Sequence, residues 1–229
     1  MRERVPGHVL RPATTKGPPV VVLAELFGIT AHVLAVCERL AAEGFPVVCP
    51  DLYHRTPGAS VFPENDAGRA AAFAALGSAT QDEFVDDIAS AADLATGGHP
   101  ERCALLGLSA GGYLGFVAAT RLPLARVALV YPGWLTSPSP PVARPAPAID
   151  DLDRITGSVL LVVGEDDFLV TDAERTVLRE RLTARGHRLV SHPGVGHGYL
   201  APSRPTHDER AAEDTWRLVL DHLRADQAP

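Results

Sequence analysis

The sequence predicts an α/β fold, with a mostly parallel central sheet and helices packed on both of its faces. Three observations lead there. Short, wholly apolar runs alternate with longer stretches whose apolar residues recur at helical spacing. Helical stretches separate most of the successive runs, so the strands must be joined by crossovers, which makes neighbours parallel. Finally, 229 residues with 46% hydrophobic content and a mean hydropathy of +0.05 suit one sizeable core.

The first long run, Pro19-Val20-Val21-Val22-Leu23-Ala24, has no polar alternation, as expected of a strand covered on both faces. A helix is predicted over residues 30–43, stopped by Gly44, and a second strand over 45–49 runs into Pro50-Asp51. A polar loop spans 53–65, and a short helix follows at 70–76. Thr80 stands three residues before Glu83, a capping-box spacing that opens a helix to about Leu94. Strand 103–108, helix 110–120 and strand 127–130 come next, then strand 159–163, helix 169–185 and strand 188–191. An amphipathic helix over 208–223 closes the chain. No internal repeat is present, and the whole of residues 1–229 reads as one domain. The biased stretch at 132–147 carries six prolines between two central strands. It reads as a loop over the carboxyl ends of the sheet, where open α/β sheets bind ligands.

Composition excludes several classes of function. The net charge of −7 and the scattered basic residues, twenty of 21 of them arginine, do not make a nucleic-acid surface. The opening Met1-Arg2-Glu3-Arg4-Val5-Pro6 lacks the apolar stretch of a secretory signal. No run reaches the ~18 apolar residues of a membrane helix. Cys37, Cys49 and Cys103 are odd in number and widely spaced within apolar stretches, so they read as buried free thiols. A cytoplasmic protein is expected, with no membrane or nucleic-acid partner.

The chemistry centres on Gly107-Leu108-Ser109-Ala110-Gly111, which fits G-x-S-x-G with a strand leading in and a helix leading out. A serine at the tip of a tight strand-to-helix turn has strained dihedrals, and small neighbours let the turn close. The helix N-terminus beneath it offers free N–H groups to a developing oxyanion. Ser109 is therefore the expected nucleophile of an α/β-hydrolase fold, which needs a base and an orienting carboxylate. In that fold the acid and then the histidine follow the serine, each at the end of a strand. Strand 159–163 empties into Gly164-Glu165-Asp166-Asp167, leaving three candidate acids. Strand 188–191 leads to His192 and then Gly196-His197-Gly198. His197, in a glycine-flanked loop that can reach a neighbouring site, is preferred to His192 at the strand end. A zinc site at these two histidines lacks a third ligand at suitable spacing, and neither metal nor cofactor is called for.

At these residues the chain resembles the dienelactone hydrolase family, over nearly its whole length. The resemblance runs through Ala24-Glu25-Leu26-Phe27-Gly28, Cys49-Pro50-Asp51-Leu52-Tyr53, Gly107 to Gly112, Gly164-Glu165-Asp166-Asp167-Phe168 and Gly196-His197-Gly198-Tyr199. It implies a compact α/β-hydrolase with no large cap domain and a triad of Ser109, Asp166 and His197. It also implies an oxyanion hole made by the Leu26 and Ala110 N–H groups, and a Glu25 carboxylate in contact with the resting nucleophile. The expected substrate is a small carboxylic ester or lactone, with acyl transfer to another acceptor, peroxyacid formation and non-catalytic ligand binding as alternatives.

Two departures stand out. The family's dienelactone-cleaving members carry a cysteine nucleophile, where this chain has Ser109. They also hold the substrate carboxylate with two arginines. Arg69 matches the first, but the stretch after the histidine reads Gly198-Tyr199-Leu200-Ala201, with no arginine before Arg204. Tyr53, Tyr131, Trp134 and Tyr199 are candidate pocket walls.

Overall fold

The computed structural model describes residues 5–56, 60–142 and 146–224. The N-terminal segment read for a signal lies mostly outside them, as do parts of the two predicted loops (57–59 and 143–145). Seven strands form the sheet: β1 (Gly7–Leu10), β2 (Val20–Leu23), β3 (Val47–Pro50), β4 (Ala104–Leu108), β5 (Arg126–Val130), β6 (Ser158–Gly164) and β7 (Arg188–His192). Their order across the sheet is β1-β3-β2-β4-β5-β6-β7. All neighbours are parallel except β1, which runs antiparallel to β3. Strand β1 was not expected from the sequence. It is a short edge strand, largely exposed, with no continuous apolar run to announce it.

Among the described residues six α-helices flank the sheet: α1 (Ala31–Ala42), α2 (Asp66–Ser78), α3 (Gln81–Thr96), α4 (Ala110–Ala119), α5 (Asp172–Thr183) and α6 (Glu209–Arg224). Successive strand residues feed opposite cores, as the two-residue period of a strand requires. Val21, Leu23, Leu105, Val127 and Leu129 join side chains from α2 to α5 on one face. Val20, Val22, Ala104, Leu106 and Ala128 join α1 and α6 on the other. This double coverage is why β2 and β4 are apolar at every position. Local signals in the sequence also hold: Thr80 and Glu83 make a reciprocal capping box at the start of α3. Helix α2 begins earlier than predicted because Asn65 caps it by accepting from the Gly68 N–H. Among the described residues no helix is long and apolar enough to cross a membrane.

The register sets up the site. Leu23 pairs with Gly107, Leu108 with Val130, Val130 with Val162 and Gly164 with His192. The carboxyl ends of β2, β4, β5, β6 and β7 therefore lie along one edge, and the segments that follow them meet there.

Candidate active site

Strand β4 passes into α4 through Ser109, which has φ 51° and ψ −115°. A non-glycine residue there is strained, and it persists only because its surroundings over-determine it. Those surroundings are visible. A Cβ on Gly107 would lie 2.5 Å from the Gly111 carbonyl oxygen. One on Gly111 would lie 2.4 Å from the carbonyl oxygens of both Leu23 and Ala24. The glycines thus let the turn close on itself and let α4 seat against the end of β2. The Ser109 N–H donates to the Val130 carbonyl at 3.0 Å, holding the turn to the next strand.

The hydroxyl is answered by the base singled out in the sequence. Ser109 Oγ lies 2.9 Å from His197 Nε2. On the other side of the ring, His197 Nδ1 lies 2.8 Å from Asp167 Oδ2. The residues are remote in sequence and are brought together by the ends of β4, β6 and β7. His192, the rival histidine, is engaged elsewhere, 2.9 Å from Thr215 Oγ1.

The carboxylate on His197 corrects the expectation that Asp166 would fill this place. Asp166 is exposed, and its backbone N–H donates to the Val195 carbonyl at 3.0 Å. Asp167 is 3% exposed. Its Oδ1 accepts from the Leu169 N–H at 2.8 Å, which leaves Oδ2 to face the imidazole. This self-capped turn, in which an aspartate holds the backbone two residues on, selects the second aspartate of the pair.

Glu25 also departs from expectation. Among the described residues it makes no hydrogen bond to Ser109. Its carboxylate is held by Arg204, with Nη1 to Oε1 at 2.9 Å and Nη2 to Oε2 at 2.5 Å, and it accepts from the Tyr131 hydroxyl at 3.0 Å. Burial pushes the Glu25 carboxyl up, but Arg204, His32 and Tyr131 together hold it below the usual carboxylate range. Arg204, beyond the stretch that follows His197, thus reaches the wall of the cleft. The loop beyond His197 turns through Gly198 at φ 73°, and a Cβ there would meet Arg204 Nη1 at 2.7 Å.

A cleft of about 700 Å³ opens over Ser109 and His197. Phe27, Phe73, Trp134, Phe168 and Leu169 give it apolar walls, and Glu25, Glu64, Arg69 and Arg204 supply its charges. Arg69 and Trp134 thus line the cleft as expected. Phe168, 70% exposed, packs edge-on against the His197 ring, with centroids 5.5 Å apart. In the sequence it figures only as the last residue of Gly164-Glu165-Asp166-Asp167-Phe168, with no role at the site.

Three predicted walls, Tyr53, Tyr199 and Tyr131, are instead supports. Tyr53 is buried, and its hydroxyl donates to the Leu26 carbonyl at 2.8 Å. Tyr199 is fully buried, its hydroxyl 2.6 Å from Thr215 Oγ1. Tyr131 is buried as well, packing edge-on against His197 with centroids 5.1 Å apart.

Leu26 lines the cleft, in a turn closed by the Gly28 N–H donating to the Glu25 carbonyl at 3.0 Å. Ala110 opens α4, so its N–H is one of the first-turn donors that lack a helical acceptor. Among the described residues neither N–H is committed to a backbone carbonyl. The described residues include no group of three or more His, Cys, Asp or Glu side chains able to hold a metal ion.

Residues 5–226 match the sequence model of the dienelactone hydrolase family. Carboxymethylenebutenolidase 1 of Cupriavidus pinatubonensis is 29% identical over 215 residues, covering 91% of this chain and 86% of that protein. A Synechocystis sp. protein provisionally named a carboxymethylenebutenolidase is 28% identical over 223 residues, covering 94% and 89%. A Klebsiella pneumoniae crystal structure, provisionally named a dienelactone hydrolase, superposes with a TM-score of 0.82 at 23% identity. That match covers 96% of this chain and 93% of the other, and it shows a shared fold.

Proposed function

Because this chain belongs to the dienelactone hydrolase family, we propose that it hydrolyses a small carboxylic ester or lactone through an acyl-enzyme on Ser109. The observation that carries the reading is the hydrogen-bonded series Ser109–His197–Asp167, with links of 2.9 and 2.8 Å, at the floor of an apolar cleft.

A serine hydroxyl, unlike a thiol, must lose its proton as it attacks. His197 Nε2 takes that proton while Ser109 Oγ bonds to the acyl carbon. Asp167, buried against Nδ1, holds the ring's tautomer and stabilises the imidazolium that forms. The tetrahedral oxyanion accepts from the Leu26 and Ala110 N–H groups, each worth ~3–4 kcal/mol in comparable sites. His197 then returns the proton to the departing alkoxide oxygen, and the acyl group stays on Ser109. In a lactone the leaving alcohol remains tethered to that acyl group. A water molecule, deprotonated by His197, attacks the ester carbon, and His197 returns that proton to Ser109 Oγ as the C–O bond breaks and the acid leaves.

Glu25 takes no proton in this scheme, since its carboxylate is occupied by Arg204 and Tyr131. Its part is to hold Arg204 at the wall of the cleft.

The test is labelling by a fluorophosphonate together with hydrolysis of p-nitrophenyl butyrate. Wild type is expected to be labelled and active, and Ser109→Ala to lose labelling and at least ~10³-fold in kcat. A wild-type protein that is neither labelled nor active would sink the proposal.

A further inference from the structure

All three guanidinium nitrogens of Arg204 are engaged, through three of its five N–H donors. Nη1 and Nη2 each donate one N–H to Glu25, and Nε donates to Glu64 Oε2 at 2.9 Å. The two carboxylates differ in setting. The Glu25 side chain is 2% exposed, whereas that of Glu64 is 35% exposed, at the open side of the cleft. Glu64 also sits on a rigid turn. The Phe62 N–H donates to the Phe27 carbonyl at 3.0 Å, and a Cβ on Gly68 would lie 2.0 Å from the Pro63 carbonyl oxygen. The first turn of α2 is therefore packed directly under this segment.

With Glu25 alone, Arg204 would form a neutral pair and present Nε to a ligand carboxylate. Glu64 occupies that position with a full negative charge. The four charged groups that line the cleft, Glu25, Glu64, Arg69 and Arg204, then sum to zero. An anionic substrate approaching Arg204, unlike one at Arg69, would meet an arginine already paired with two carboxylates.

We propose that Glu64 is a specificity-determining residue that disfavours carboxylate-bearing substrates by placing a second carboxylate on the Nε edge of Arg204, so that the cleft prefers uncharged alkyl or aryl esters. The kinetic arm of this inference rests on the Ser109 reading, and its binding arm does not.

The experiment compares two esters of equal acyl length, p-nitrophenyl butyrate and mono-p-nitrophenyl succinate. Wild type is expected to prefer the butyrate in kcat/KM. Glu64→Ala should shift the ratio toward the succinate by about tenfold, and Glu64→Gln, which keeps an acceptor but not the charge, by less. Adding Arg204→Met to Glu64→Ala should cancel the gain. A shift under threefold in Glu64→Ala, or a wild-type preference for the succinate, overturns the proposal.

Benzoate binding, measured by calorimetry on wild type and Glu64→Ala, needs no turnover and should tighten by about tenfold. If neither ester is cleaved yet benzoate binding tightens, the hydrolase reading has failed and the role of Glu64 stands. If the esters are cleaved and benzoate binding is unchanged, the reverse holds.

Discussion

Asp167 Oδ2 lies 2.8 Å from His197 Nδ1, while the side chain of Asp166, one residue earlier, faces solvent. The two aspartates differ only in which side of a single turn they occupy, and their substitutions should differ sharply. Asp167→Asn is expected to lower kcat for p-nitrophenyl butyrate by ~10³–10⁴-fold, since it removes the group that fixes the imidazole tautomer. Asp166→Asn should stay within about threefold of wild type, as exposed substitutions do. Equal losses in the two variants would refute this assignment.

Tyr53 acts on the site at one remove. Its hydroxyl holds the Leu26 carbonyl, and the Glu25–Gly28 turn holds the other side of the same residue. Tyr53→Phe should cost about 1–2 kcal/mol of stability, because a buried carbonyl loses its donor. A looser Leu26 should also lower kcat by about three- to tenfold with KM little changed, the pattern of an interaction made only in the transition state. Urea melts and steady-state kinetics measure both, and a rise in KM with constant kcat would count against the role.

Arg204→Met should be strongly destabilising, by roughly 3–5 kcal/mol at neutral pH, because it leaves Glu25 charged and buried without its partner. The pH dependence gives the sign. In wild type the Glu25 carboxyl is depressed below 4.5, so its contribution is present above that value and is lost as pH falls through the lower folded value. In the variant, burial acts with far less opposition and raises the carboxyl, so stability falls as pH rises past 4.5. The gap between the two proteins should widen from acid to neutral pH in urea titrations. A constant gap would mean that Glu25 is not the group responsible.

His222, buried on α6 with Nε2 3.2 Å from the Ser158 carbonyl oxygen, provides a second pH signature away from the site. Burial, reinforced by the nearby charges of Arg126 and Arg188, lowers its pKa from 6.5 to about 4. The unfolded chain then binds more protons than the folded one between those values. Stability is full above 6.5 and declines as pH falls toward 4, by up to about 3 kcal/mol. His222→Gln keeps a donor and removes the titration, so its stability curve should be flatter across that window. A slope equal to that of wild type would assign the acid sensitivity elsewhere.

Much of the fold was legible because its signals are local. Apolar runs covered on both faces, the Thr80–Glu83 capping box and the glycines around Ser109 all act within a few residues of chain. Strand β1 was missed because an exposed edge strand needs no apolar run. Tyr53, Tyr131 and Tyr199 were read as pocket walls, since an aromatic residue looks the same in sequence whether it lines a cleft or supports one. Arg204 was passed over because the distance that matters is spatial. A loop folded back through Gly198 delivers it to Glu25, 179 residues away in sequence.

The sequence by itself determined that Ser109 stands in a strained strand-to-helix turn and that His197 follows on a glycine-flanked loop. Both follow from short-range sterics and from the order of strands and helices along the chain. Only the tertiary structure decided that Asp167, not Asp166, meets His197, and that Glu25 and Glu64 share Arg204 at the cleft. Those choices depend on which way a turn faces and where a loop returns, and packing between distant segments sets both.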